Sequence, residues 1–373
     1  MSDQAVINPV QAVQQLGQSI WYDNISRGLL TSSELQQLID TGVTGVTSNP
    51  SIFEKAIAGS SDYDQSLLSL AGKNKSPEEI FESLAIEDIR ATADLLRPAY
   101  DRTGGTDGYA SLEVNPHLAQ DTEGTVVAAR RLFAQLDRPN LMVKVPGTPA
   151  GIPAIRTLIG EGININVTLI FSLDAYRDVR EAYIAGLEDL AVSGGDVTRV
   201  SSVASFFVSR VDTAVDAQLE ADGHRELVGQ SAIANAKLAY KAFQEDFGRG
   251  GRFASLKERG AKVQRPLWAS TGTKNASFSD VLYLDTLIGP DTVNTVAPAT
   301  LTAFLDHGTA AVTLDSGQAE AQETIERVQA VGIDIAQVTS QLLDDGVKAS
   351  ADSFDKLLEN IKEKQEQLTL PVT

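Results

Sequence analysis

The stretch LMVKVPGT, Leu141–Thr148, places a lysine inside an apolar run that ends on Pro146-Gly147. Met142, Val143 and Val145 are residues that a strand buried on both faces favours. The Pro-Gly pair is a turn signal that ends the strand. Lys144 is therefore expected at the carboxyl end of an interior strand. Burial strips an ammonium of its water and favours the neutral form. A neutral amine is a nucleophile and forms Schiff bases with carbonyl substrates. The competing reading is an edge strand with Lys144 turned to water, since lysine is seldom buried without a reason. The rest of the chain decides between the two.

Working outward, short apolar runs alternate with helical patterns. The expected strands are Ser19–Asp23, Gly45–Asn49, Ala110–Val114, Leu141–Pro146, Asn164–Leu169, Val200–Phe206, Pro266–Thr271 and Val293–Ala297. Helical periodicity follows each. Val126, Ala129, Phe133 and Leu136 share one face before Pro139-Asn140 turns the chain into the Lys144 strand. Ile152, Ile155 and Ile159 share another, ended by Gly160 and Gly162. Ser172 is placed to cap the next helix, with Asp174 in its first turn. Strands alternating with helices predict parallel βαβ units and an α/β fold. Eight of them suit a (β/α)8 TIM barrel, which needs about 250 residues plus insertions. A doubly wound open sheet ranks second, because the first strand ends in Asp23-Asn24 and not in a glycine-rich phosphate loop. Pro50–Tyr109 and Val208–Arg265 exceed a single helical crossover, so both should hold extra helices. Ser316–Gln367 is charged and helix-forming, and is expected to supply C-terminal helices packed across the barrel. The expected organisation is one barrel domain over residues 1–373.

Composition narrows the function. With 31 basic and 50 acidic residues in 373, the net charge is −19. Nucleic acid is a poor partner for such a surface, and any phosphate must meet a local basic pocket. There is no cysteine, so thiolate nucleophiles, disulfides and Cys-bound metals are excluded. His117, His224 and His307 are not spaced as a metal pair. No run of about 18 apolar residues suggests a membrane span. The opening MSDQAVINPVQAVQQLGQ lacks the basic and apolar parts of a signal peptide, so a cytoplasmic protein is expected.

The carboxyl ends of barrel strands form one face, where active sites lie. Asp23 ends the first strand and Asn49 the second. Glu113 is carried by the third, Lys144 by the fourth, and Asn166 and Thr168 by the fifth, two apart and so on one side. The sixth reaches Ser205, with Arg210 in the next helix's first turn. The seventh ends in Ser270-Thr271-Gly272-Thr273-Lys274. Only the eighth ends mostly apolar. Solvent contact explains one polar strand end, but poorly explains seven of eight. Lys144 could attack a ketone and become an iminium, an electron sink that lets the adjacent C–C bond break once a base takes a hydroxyl proton. Asp23 or Glu113 could be that base. Asn49, Asn166 and Thr168 could hold hydroxyls or a water. Arg210, Ser270, the Gly272 turn and Lys274 could hold a phosphate. Each has a plainer alternative. Asp23 suits a helix cap, Glu113 a solvated loop, Asn49 a turn before Pro50, Thr168 an ordinary strand, and Phe207 the core. Asn24 and Arg27 fall near the mouth but are not assigned to the site, His117 has no assigned task, and Glu54 and Lys55 suit a solvated helix start.

TSNPSIF (Thr47–Phe53), SLEVNP (Ser111–Pro116), VKVPGT (Val143–Thr148), INVTLIFS (Ile165–Ser172) and SFFVSRVD (Ser205–Asp212) together resemble the motifs of the transaldolase family. The resemblance runs in order from about Ser19 to Phe304 and implies a class I Schiff-base aldolase barrel of the longer bacterial type. It implies Lys144 as the Schiff-base lysine, Asp23 as the acid/base, and Glu113 with Thr168 on a catalytic water. It further implies Asn49, Asn166 and Ser205 on the dihydroxyacetone unit, Phe207 lining the site and Arg210 on the phosphate. The departure is ASTGTKN, where Lys274 stands near the position of the family's second arginine. Lysine supplies that charge without the bidentate fork. The activity implied is transfer of a dihydroxyacetone unit from sedoheptulose 7-phosphate or fructose 6-phosphate to glyceraldehyde 3-phosphate or erythrose 4-phosphate, in the pentose phosphate pathway. No metal or organic cofactor is expected. The partners are sugar phosphates, and the protein is expected as a monomer or homodimer. A fructose-6-phosphate aldolase-like lyase is the nearest alternative; such relatives usually lack the acid at Glu113. A non-catalytic sugar-phosphate-binding barrel is the other, and Lys144 argues against it.

Overall fold

In the computed structural model, which describes residues 7–71, 73 and 75–369, the strand around Lys144 is buried along its whole length. This strand, β4 (Leu141–Pro146), pairs in parallel on both sides, which removes the edge-strand alternative. Its companions are β1 (Gln18–Tyr22), β2 (Gly45–Val46), β3 (Tyr109–Glu113), β5 (Ile165–Ile170), β6 (Ser202–Phe207), β7 (Arg265–Ala269) and β8 (Thr292–Val296). All eight close into a parallel barrel in sequence order. The open-sheet alternative is thereby excluded.

Inward-facing residues recur every second position along a barrel strand. Trp21, Tyr109, Met142, Val203, Leu267, Ala269 and Val293 form an apolar plug of their own. Two residues above Trp21 stands Asp23, two above Met142 stands Lys144, and two above Val203 stands Ser205. The plug is thus the floor on which the polar strand ends rest. A second, larger apolar shell lies between the strands and the surrounding helices.

The strand boundaries differ in informative places. Expected strand Gly45–Asn49 keeps only Gly45–Val46, because Asn49 leaves the ladder to cap the helix Pro50–Ala58, its Oδ1 accepting from Ile52 N at 3.0 Å. The seventh strand stops at Ala269, because Ser270 turns into the left-handed region at φ +55°. The sixth starts two residues late, after a short turn at Val197–Arg199.

Both long crossovers hold extra helices, at Pro50–Ala58, Asp64–Ala71 and Pro77–Arg102, and at Ser209–Asp222, Ser231–Phe247 and Ala254–Glu258. The C-terminal helices divide. Gln318–Ala330 does not cross the barrel; Ala321 packs with Ala234 and Leu238 of Ser231–Phe247 on the flank. Only Ile335–Thr369 spans the mouth. It touches both Pro50–Ala58, after β2, and Ser209–Asp222, after β6, on opposite sides of the ring. Phe354, Leu357 and Ile361 bury its apolar face. Lys356 and Asn360 both hold Glu54, at 3.1 and 2.8 Å, so Glu54 is an anchor and not merely a solvated helix start. His117, without a task in the sequence, meets Asp355 at 2.7 Å. Among the described residues no helix is long and apolar enough to cross a membrane.

Gly45 pairs with Trp21, and a Cβ built at Gly45 would lie 2.4 Å from the indole. Gly45→Ala should therefore cost about 1–3 kcal/mol in chemical denaturation, the usual penalty for overpacking a filled core. Unchanged stability would mean that the plug is looser than this packing requires.

Candidate active site

The parallel register sets Glu113 beside Lys144 and Lys144 beside Asn166 on three adjacent strands. The side chains of Glu113 and Lys144 meet at the carboxyl end of the barrel. Lys144 Nζ donates to Ser48 O at 3.2 Å and stands 3.9 Å from Glu113 Oε2. The Lys144 and Glu113 side chains are only 9 and 8% exposed. Asp23 Oδ1 accepts from Thr47 Oγ1 at 2.7 Å, and Thr47 is in turn 2.6 Å from Thr295. One lysine and two carboxyls thus share a poorly hydrated floor.

Burial, the largest influence, pushes the Asp23 carboxyl up from its ordinary range; the Lys144 charge and the Thr47 donor oppose it. Glu113 is likewise pushed up, first by burial, with Lys144 and Ser350 opposing and the Asp23 charge adding to the rise. Such carboxyls hold a proton at higher pH than free ones and can act as acid as well as base.

Above the floor lies a cavity of about 810 Å³, lined by Asp23, Asn49, Glu113, Lys144, Thr168, Phe207, Arg210 and Lys274. A second lobe of about 480 Å³ shares several of these walls and adds Ser205 and Ser270. The catalytic and binding candidates therefore converge, with one exception. Asn166 is fully buried beneath the lining, where Nδ2 donates to Ser111 Oγ at 3.1 Å and Oδ1 accepts from Ser205 Oγ at 2.7 Å. Its amide orients Ser205 from behind. Asn49 lines both lobes while its Oδ1 serves the helix cap. Phe207 is half-buried and packs on Phe171, with ring centroids 5.1 Å apart. Arg27 does not reach the mouth; Asp88 holds it at 3.0 Å. Asn24 does line it.

Arg210 opens the helix Ser209–Asp222 and stands over the Phe207 ring at 5.3 Å. It is exposed to the open mouth, yet its walls remove enough water to lower its pKa from the ordinary value. Among the described residues it has no carboxylate partner. Ser209 N donates to Ser270 O at 3.0 Å, and the two hydroxyls are 2.9 Å apart. These bonds tie the β6 and β7 loops together and place Arg210 and the exposed Lys274 around one cavity.

Two features of the site went unread in the sequence. Leu169, after Thr168, takes φ +58° at an irregularity in β5 and turns its side chain into the mouth; such a conformation costs a non-glycine residue about 1–3 kcal/mol. Gly346, Ala349, Ser350 and Ser353 of the C-terminal helix form a further wall. Their i, i+3, i+4, i+7 spacing was the only available signal. No group of three acidic, histidine or cysteine side chains among the described residues is placed to hold a metal.

A carboxyl whose folded pKa exceeds its unfolded value contributes stability below the unfolded pKa and loses it as pH rises through the folded one. Asp23→Asn cannot ionise. Its melting temperature relative to wild type should therefore rise as pH goes from about 4 to 8. A relative fall over that range would show that the Lys144 charge outweighs the burial of Asp23.

The family model described as Transaldolase/Fructose-6-phosphate aldolase matches residues 20–361. A protein of Saccharopolyspora erythraea named Transaldolase is 47% identical over 361 residues, covering 96% of this chain and 98% of its own. One of Mycobacterium marinum with the same name is 46% identical, covering 94 and 96%. Another, of Thiobacillus denitrificans, is 48% identical, covering 95 and 100%. A closed eight-stranded barrel, a buried lysine beside Glu113 in a cavity that Asp23 also lines, and a match over nearly the whole chain agree: the chain belongs to the transaldolase/fructose-6-phosphate aldolase family.

Proposed function

We propose that this protein is a transaldolase, moving a dihydroxyacetone unit between sugar phosphates in the cytoplasm. The observation that carries the reading is Lys144, buried beside Glu113 on a barrel floor that Asp23 also shares. Lys144 Nζ attacks the ketose carbonyl and gives a carbinolamine. A water held by Glu113 and Thr168 relays a proton to the departing hydroxyl, leaving an iminium. Asp23 takes the proton of the hydroxyl on the fourth carbon. The bond between the third and fourth carbons breaks, its electrons pass to the iminium, and the shortened aldose phosphate leaves. The enamine then attacks the acceptor's aldehyde carbon, and Asp23 returns its proton to the new alkoxide. Water hydrolyses the iminium and frees Lys144. Ser205 and the Asn49 amide face the retained three-carbon unit, and Phe207 excludes water from it. Arg210, Ser270 and Lys274 bind the phosphate.

The family also contains lyases, and the acceptor separates the two readings. With fructose 6-phosphate and erythrose 4-phosphate, sedoheptulose 7-phosphate should form. With fructose 6-phosphate alone, free dihydroxyacetone should not accumulate. Steady release of dihydroxyacetone at the rate of transfer would make the protein a lyase.

The phosphate assignment has its own signature. Arg210→Ala should raise KM for fructose 6-phosphate at least about tenfold, or roughly 1.4 kcal/mol, and affect unphosphorylated fructose far less. Lys274→Ala should act more weakly in the same direction, and Lys274→Arg should be tolerated. Equal losses on phosphorylated and free sugar would assign both cations to structure.

A further inference from the structure

Glu113 can rotate about a long side chain, yet a proton relay needs its two oxygens in fixed places. One of them, Oε2, faces Lys144 at 3.9 Å. The other, Oε1, accepts a hydrogen bond from Ser350 Oγ at 3.3 Å. Among the described residues this is the one hydrogen bond made by the Glu113 side chain. The donor comes from 237 residues away in sequence, on the helix that spans the mouth.

The seat of that helix is specific. Gly346, one turn before Ser350, is buried, and a Cβ built there would lie 3.0 Å from Leu169 Cδ2. The glycine lets the helix settle onto the side chain that the strained backbone of Leu169 turns into the mouth. Five residues after Ser350, Asp355 meets His117 at 2.7 Å, in the turn Pro116–Leu118 that follows β3. β3 itself ends in Glu113. The helix is therefore fixed to the loop of the strand whose carboxyl it contacts, and Phe354 packs edge-on against Phe81 at 5.7 Å beside this contact.

We propose that Ser350 is a positioning residue: it holds Oε1 of Glu113 so that Oε2 stays on the Lys144 side, and it makes the C-terminal helix a working wall of the active site. This rests on the reading above, in which Glu113 handles the water of the iminium step. Ser350 touches no reacting atom. Its effect should appear in turnover more than in substrate affinity, and should vanish when Glu113 no longer carries a carboxylate.

The test is steady-state kinetics of fructose 6-phosphate with erythrose 4-phosphate, on the full chain. It compares Ser350→Ala, Ser350→Thr, Glu113→Gln and the double variant Ser350→Ala/Glu113→Gln. Ser350→Ala should lower kcat about fivefold to tenfold, the worth of one ordinary hydrogen bond, with KM changed less than about twofold. Ser350→Thr keeps the hydroxyl and should restore most of kcat. In the Glu113→Gln background, Ser350→Ala should cause no further loss, because the two residues act as one unit. An unchanged kcat in Ser350→Ala, or the same fractional loss in both backgrounds, would overturn the role of Ser350. An undiminished kcat in Glu113→Gln alone would instead overturn the role of Glu113, and the single variant shows that independently of Ser350.

Discussion

Everything at the mouth of this barrel answers to one electrostatic constraint. Lys144, Glu113 and Asp23 share a space with little water, and charges are costly there unless each has a partner. The protein meets this with neutral donors and acceptors. Ser48 O accepts from the lysine, Thr47 donates to Asp23, and Ser350 donates to Glu113. None of these adds charge, so the two carboxyls keep raised pKa values and remain able to exchange protons. A salt bridge in place of Thr47 or Ser350 would satisfy the carboxylates better and hold them ionised.

The floor beneath supplies the other half of that environment. Trp21, Tyr109, Met142 and Leu267 fill the barrel interior and give the polar strand ends their height. Asn166 belongs to this support. Its amide, on the same strand as Thr168, links Ser111 on β3 to Ser205 on β6 beneath the cavity. Within the cavity of this acidic protein, Arg210 and Lys274 stand without carboxylate partners among the described residues, which supports the proposed phosphate role.

Much of this was legible in the sequence, and the reasons are physical. Parallel strands are buried on both faces, so they read as short apolar runs, and their polar ends stand out. That is why Asp23, Glu113, Lys144, Thr168 and Ser205 could be assigned to one face. Asn166 lies on the expected strand and side, but its depth below the cavity was not legible, because period two gives the side of a strand and not which residues lie above which. The shortening of β2 was hidden because Asn49 is equally good as a strand end and as a helix cap. Leu169 gave no signal, since leucine is not a residue whose presence marks left-handed backbone. Ser350 was the least legible. A serine on an amphipathic helix reads as surface, and only the folded chain brings it to Glu113.

The central claim is that Lys144 is the nucleophile. Borohydride reduction in the presence of fructose 6-phosphate, followed by peptide mass mapping, tests it most directly. The account predicts one reduced three-carbon adduct, on Lys144, and none in Lys144→Ala or Lys144→Arg, since a guanidinium does not lose its proton in the working range. An adduct on Lys55 or Lys274, which also line the cavity, or transfer that persists in Lys144→Ala, would contradict it.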